Sequence, residues 1–205
     1  MANVTMERGI EYTWGSTLEE RRMSFPCDRY MDNSDEAYFR AIDVKAPAQI
    51  LFRWLCQMKL GSYSYDWIDH LERIFFQVTE SIPAHPNPKQ LLPGVENIAL
   101  GQRFMGIFKL VEFEQNRHLT LVMDDERAIA MFGEIAASYV VLPITSTTCR
   151  LILKGHVRYP RNRFWSWIRY FLPWGDLFMM RKQFLRLKSL AEHQANRTSE
   201  VRIYS

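Results

Sequence analysis

The sequence predicts an α+β fold in which antiparallel strands pack against a long C-terminal helix. From Gly101 to Tyr159 apolar and polar residues alternate with the two-residue period of strands, interrupted by short turn segments. Between Asp176 and His193, Leu177, Met180, Phe184, Leu187 and Ala191 recur at helical spacing and form one apolar stripe. One strand and two helical segments precede the alternating region, so the order is strand, helices, strands, helix.

Residues 1–36 carry Gly15, Pro26 and many charges without a periodic apolar pattern, and are expected to form an irregular arm packed on the domain. Residues 37–195 form the expected domain and 196–205 a tail. Tyr38–Val44 reads as the first strand, and Ala46-Pro47 ends it and opens a helix, since proline suits a first helical turn. In Ala48–Met58, Ile50, Leu51, Trp54, Leu55 and Met58 share one face, and Gly61 closes the helix. A second short helix is predicted over Asp66–Phe76 from Ile68, Leu71, Ile74 and Phe75. Ser81–Pro93, with four prolines, reads as a loop.

Strands are predicted at Arg103–Phe113, His118–Asp124, Ile135–Leu142 and Thr148–Tyr159. In the last, Leu151, Leu153 and Val157 alternate with Arg150, Ile152, Lys154, His156 and Arg158, which describes a sheet with one side to water and places His156 on that side. Short turns at Gln115–Arg117 and Pro143–Thr147 make these strands antiparallel neighbours. Asp176 is the expected N-cap of the final helix. Inward positions should include Leu119, Leu121, Met123, Tyr139, Val141, Leu151, Leu153, Val157, Met180 and Phe184.

With 47% apolar and 24% charged residues in 205, the chain can bury a sizeable core. Its 26 basic and 23 acidic residues are dispersed, giving +3, so no strong field draws nucleic acid and none is expected as a partner. No run of about 18 apolar residues and no apolar leader are present, and cytoplasmic residence is the expectation. Cys27, Cys56 and Cys149 are odd in number and far apart, which fits reduced structural thiols. The five histidines form no zinc-binding pattern, and hydrolase, phosphate-loop and dinucleotide motifs are lacking, so neither metal nor cofactor is expected.

The run from Ala46-Pro47 through Trp54-Leu55-Cys56-Gln57-Met58, followed by Tyr63-Ser64-Tyr65-Asp66-Trp67-Ile68, resembles the START-like polyketide cyclase/dehydrase superfamily. The likeness extends back to Tyr12-Thr13-Trp14-Gly15 and forward to Gly175-Asp176, Met179, Arg181 and Lys188–Glu192. It implies a helix-grip fold: a curved antiparallel sheet wrapped around the long C-terminal helix, two short helices after the first strand, and a cavity between sheet and helix. It implies no single reaction, because relatives include lipid carriers, hormone receptors, plant allergens and aromatase/cyclases.

Aromatic bodies with polar tips suit the mouth of such a cavity. The candidate ligand-binding residues are therefore Gln57, Tyr63, Tyr65, Asp66, Trp67, Met123, Tyr139, Leu153, Met180 and Phe184. Asp66 has two readings, a cap for the second helix and a proton carrier; His70, Glu112, Glu134 and His156 are the other titratable candidates. The leading expectation is binding of a small hydrophobic ligand, a lipid, polyketide or aromatic compound. A cyclase or dehydratase using the same cavity is the alternative. The segment Arg161–Trp174 interleaves aromatics with three arginines, and Phe164–Trp174 is either a membrane contact or a cavity lid or packed connector.

Overall fold

A computed structural model describes residues 9–63, 88–161 and 168–203. The chain opens with helices α1, Ile10–Thr13, and α2, Leu18–Arg22, followed by a 3-10 turn at Pro26–Arg29. A reciprocal cap starts α2, with Thr17 Oγ1 accepting from the Glu20 N–H and the Glu20 carboxylate accepting from the Thr17 N–H. Strand β1, Glu36–Val44, leads into α3, Ala48–Cys56, and a 3-10 turn at Gln57–Leu60. Asp66–Phe76, where a second helix is predicted, lies outside the described residues.

The remaining strands are β2, Arg103–Phe104; β3, Phe108–Glu114; β4, His118–Met123; β5, Glu134–Pro143; and β6, Cys149–Arg158. They join β1 in one antiparallel sheet of order β1-β6-β5-β4-β3-β2. The strand expected over Arg103–Phe113 is two strands, because Met105 and Gly106 take positive φ values of 48° and 77° and reverse the chain. Helix α4, Glu126–Phe132, was not anticipated. Its start is nonetheless written locally, as the Asp125 carboxylate accepts from the N–H groups of Arg127 and Ala128.

Helix α5, Ile168–Ile203, differs most from expectation. It begins eight residues before Asp176 and runs past His193, so Asp176 is an interior helical residue rather than its cap. The carboxylate instead accepts from Arg40 Nη2 of β1 at 2.6 Å. Among the described residues, no helix is long and apolar enough to cross a membrane.

The curved sheet and the helix it grips are the helix-grip arrangement. On the inner face, Leu119, Leu121, Tyr139, Val141, Leu151 and Leu153 pack with Trp54, Leu55 and Met58 of the α3 region and with Met180, Phe184 and Leu187 of α5. Val157 is buried beside Tyr38 and Tyr159, and Met123 beside Ile107 and Ala128 of α4, so both lie outside that central cluster.

The outer face is not open to water as the alternation predicts. Phe25, Cys27 and Met31 of the N-terminal segment cover Ala41, Ala136 and Ile152. The Cys27 N–H donates to Ser138 Oγ at 2.8 Å, and the Ser138 and Thr120 hydroxyls, 2.9 Å apart, hydrogen-bond to each other. His156 is only 9% exposed, hydrogen-bonded to Ser34 and Asp28. Polar residues on a strand show that one face differs from the other; they do not show whether chain from elsewhere supplies their hydrogen-bond partners.

Candidate functional site

Two buried amides stand at the end of the interior where α3, α5 and β2 meet. Gln57, fully buried after the last turn of α3, donates through Nε2 to the Tyr63 hydroxyl at 2.7 Å and to the Gln90 carbonyl at 3.0 Å. Its Oε1 accepts from the Leu92 N–H at 2.8 Å, while the Tyr63 hydroxyl donates to the Pro88 carbonyl at 3.2 Å. The Trp54 ring meets the Tyr63 ring edge-on at 6.1 Å, and Tyr63 holds a left-handed φ of 55°. The packing thus fixes a conformation that tyrosine rarely adopts.

Gln183 is the second amide. It lies on the buried stripe of α5, between Met180 and Phe184, where its Oε1 accepts from the Tyr139 hydroxyl of β5 at 2.9 Å. Its Nε2 donates to the Ser62 carbonyl and approaches Met105 Sδ at 3.5 Å. Sheet, helix and the Gln57–Tyr63 segment are therefore tied through one side chain. Burial pushes the hydroxyl pKa up for both Tyr63 and Tyr139, so both stay protonated donors at neutral pH.

Of the sequence-derived candidates, Gln57 and Tyr63 share one hydrogen-bond cluster, and Tyr139, Met180 and Phe184 surround Gln183. Leu153 belongs to the same apolar cluster, whereas Met123 sits with α4. Tyr65, Asp66, Trp67 and His70 lie outside the described residues. Glu112 and Glu134 are on the sheet's rim, accepting from Arg29 and from Arg158.

Sequence reasoning passed over Gln183 and Arg40 and gave Asp176 the role of a cap instead of a partner for Arg40. Gln183 is three residues after Met180 and four before Leu187, so helical periodicity alone puts it on the buried stripe. Arg40 keeps the two-residue spacing of Tyr38, Ile42 and Val44, so it shares their face, the inner one, of β1. A charge there demands a counter-charge from elsewhere.

Two further features lie on the other side of the sheet. A groove of about 420 Å³, lined by Met23, Phe25, Arg29, Glu112, His118 and Leu142 among others, opens between the N-terminal segment and β3–β5. Cys27 Sγ, an Asp28 oxygen and a His156 nitrogen lie within 4.8 Å of one another, a spacing that suits a metal ion. The donors do not. Burial pushes the Cys27 thiol up to about 11, so the thiolate needed for ligation is scarce, and the Lys154 ammonium already sits 2.6 Å from Asp28 Oδ1.

The arrangement defines a class by its fold: a curved antiparallel sheet around a C-terminal helix, with an apolar interior carrying a few buried polar side chains. No family model and no curated protein matches the chain by sequence. Solved structures of similar fold include a protein from Mesorhizobium loti, with 16% identity, TM-score 0.45 and coverage of 77% of this chain and 98% of that one. An aromatase/cyclase from a Streptomyces species is similar at 10% identity and TM-score 0.43, over 79% and 94% of the two chains. Norcoclaurine synthase from Thalictrum flavum, in complex with dopamine and hydroxybenzaldehyde, is similar at 13% identity and TM-score 0.41, over 77% and 87%.

Proposed function

We propose that the protein binds a small, largely apolar molecule between the sheet and α5, oriented by Gln57, Tyr63, Tyr139 and Gln183. The observation that carries this reading is the pair of buried amides, each bonded to a tyrosine hydroxyl, within surroundings of aromatic, aliphatic and thioether side chains. Sites for small molecules combine a mostly apolar lining with a few placed polar groups, and Met58, Met105 and Met180 can adapt their shape to a guest. Leu153 and Phe184 serve as apolar lining. Tyr65, Asp66, Trp67 and Met123 are proposed lining residues on the sequence pattern. In a cyclase or dehydratase version of the same site, Asp66 would carry the proton.

Native mass spectrometry of gently purified protein tests the reading. A stoichiometric apolar compound, lost from a Gln57→Leu/Gln183→Leu variant that remains folded, supports it. Protein that carries nothing and shows no thermal shift with a panel of lipids and aromatic compounds rejects it.

A second reading, contact with an anionic membrane surface, is favoured by the outward face of α5. Tyr170, Phe171, Trp174 and Phe178 are exposed there, with Arg169 and Arg181 exposed alongside. Aromatic and cationic side chains together suit the headgroup region of anionic lipid. Cosedimentation with phosphatidylserine vesicles should fall in a Phe171→Ser/Trp174→Ser variant; binding equal to wild type, or no binding by wild type, removes this reading.

A further inference from the structure

Ser34, His156 and Asp28 form a continuous relay on the outer side of the sheet, away from the proposed ligand interior. Ser34 lies half-buried on the turn before β1, His156 projects from β6, and Asp28 belongs to the Pro26–Arg29 turn. Ser34 Oγ is 2.8 Å from His156 Nδ1, and His156 Nε2 is 2.7 Å from Asp28 Oδ1.

The neighbours of Asp28 set the direction of its bond to His156. Asp28 Oδ1 also receives the Lys154 ammonium at 2.6 Å, and Oδ2 accepts the Phe25 N–H at 2.9 Å. These donors keep the carboxyl ionised and accepting, so Nε2 of His156 must carry a proton. In the neutral imidazole Nδ1 is then bare, and it accepts the Ser34 hydroxyl. A serine hydroxyl on a neutral imidazole nitrogen, with the second nitrogen held by a carboxylate, is an activated nucleophile whatever its sequence order.

The turn that carries Ser34 is held on both sides. The Asp35 N–H donates to the Val157 carbonyl at 2.9 Å, and the Tyr159 N–H donates to Asp35 Oδ2 at 2.8 Å. The Arg158 guanidinium donates through Nε to the Asn33 carbonyl at 3.1 Å and through Nη1 to Glu134 at 2.6 Å. A partly exposed cation thus rests against the residue that precedes the nucleophile.

We propose that Ser34, His156 and Asp28 constitute a nucleophilic site that accepts acyl groups from small activated esters. Ser34 Oγ attacks the ester carbonyl carbon and forms the C–O bond while its proton passes to His156 Nδ1, leaving an oxyanion. Collapse breaks the bond to the leaving alkoxide, which takes the proton from His156 and departs as the alcohol. Water, deprotonated by the same nitrogen, then cleaves the acyl-serine, releases the carboxylic acid and restores the Ser34 hydroxyl.

The test is reaction of the full chain with a fluorophosphonate probe, read by intact mass and peptide mapping. One adduct on Ser34 is expected, absent from Ser34→Ala. Its rate of formation should fall about 100-fold or more in His156→Gln, the scale of a lost general base. Because His156 also anchors the N-terminal segment, circular dichroism accompanies each variant. A Ser34→Cys variant gives an independent measurement: its new thiol should be alkylated by iodoacetamide faster when His156 is present than in a Ser34→Cys/His156→Gln pair. Folded wild-type protein that gives no Ser34 adduct under conditions that fully label a control serine hydrolase overturns the proposal. So does labelling elsewhere that Ser34→Ala leaves unchanged.

Discussion

Arg40 Nη2 lies 2.6 Å from Asp176 Oδ2, joining a fully buried guanidinium on β1 to a carboxylate in the interior of α5. The same nitrogen donates to the Glu11 carbonyl at 2.7 Å, and Nη1 donates to the Phe39 carbonyl at 2.9 Å, so one side chain binds helix, sheet and the N-terminal segment. Burial raises the Asp176 pKa, partly offset by the charge and hydrogen bond of Arg40. Removing one member of such a pair strands the other, at a cost of about 3 kcal/mol or more. Asp176→Asn and Arg40→Met should each lower the urea midpoint markedly, and an Arg40→Met/Asp176→Leu double variant should recover most of the loss.

Tyr139 and Gln183 make the corresponding neutral link between sheet and helix. Tyr139→Phe leaves Gln183 Oε1 without its donor in a buried position, which should destabilise the fold by about 1–3 kcal/mol. In double-mutant analysis with Gln183→Leu the two losses should be less than additive, because they share one bond. The single variants should also weaken retention of a bound apolar compound in native mass spectra.

Gly15 is required where the N-terminal segment meets β1. Its φ is +74°, and a Cβ there would lie 2.0 Å from the Ala41 carbonyl oxygen, which belongs to the backbone and cannot swing aside. Gly15→Ala should cost about 2 kcal/mol or more, combining left-handed strain with a steric clash. Limited proteolysis should cut the segment before Glu36 faster in the variant, since Trp14 O accepts from the Ala41 N–H and Gly15 O from Arg150 at this junction.

Asp28 makes stability depend on acid. Burial by itself would raise its carboxyl pKa, but hydrogen bonds from His156, Lys154 and the Phe25 N–H outweigh it and hold the group below its ordinary range. The unfolded chain titrates near about 3.9, so below roughly pH 5 it binds more protons than the native form. This contribution is complete above that pH and is lost as pH falls through the native pKa. Asp28→Asn should be less stable than wild type at neutral pH and show a shallower acid dependence in urea titrations between about pH 6 and pH 2.

Much of the fold was legible in local pattern. Alternation located β4, β5 and β6 to within a residue or two, and Leu177, Met180, Phe184, Leu187 and Ala191 identified the buried stripe of α5. The errors have separate causes. Pro173, Trp174 and Gly175 read as a connector ending at a capping aspartate, yet the helix runs through them, because Asp176 finds Arg40, 136 residues away, rather than the backbone of a helix start. The β2–β3 turn was missed because Met105 gives no sign by itself of a positive φ.

The candidate site was legible only in part. Gln57 and Tyr63 stand in a recognisable run, but their bond to each other and to Gln90, Leu92 and Pro88 brings together chain segments about thirty residues apart. Gln183 and Tyr139 each fall on a predicted buried face, and periodicity says nothing of which faces touch.

The amino-acid order alone settled the alternation of β4, β5 and β6 and the apolar stripe of α5, since these follow from repeats of two and of 3.6 residues. The partners of buried polar groups were decided by tertiary structure. Arg40 meets Asp176, Tyr139 meets Gln183, and His156 lies between Ser34 and Asp28 because docking α5 on one face of the sheet and the Phe25–Met31 stretch on the other excludes water from both. A desolvated donor or acceptor must then take whatever partner the fold brings within reach.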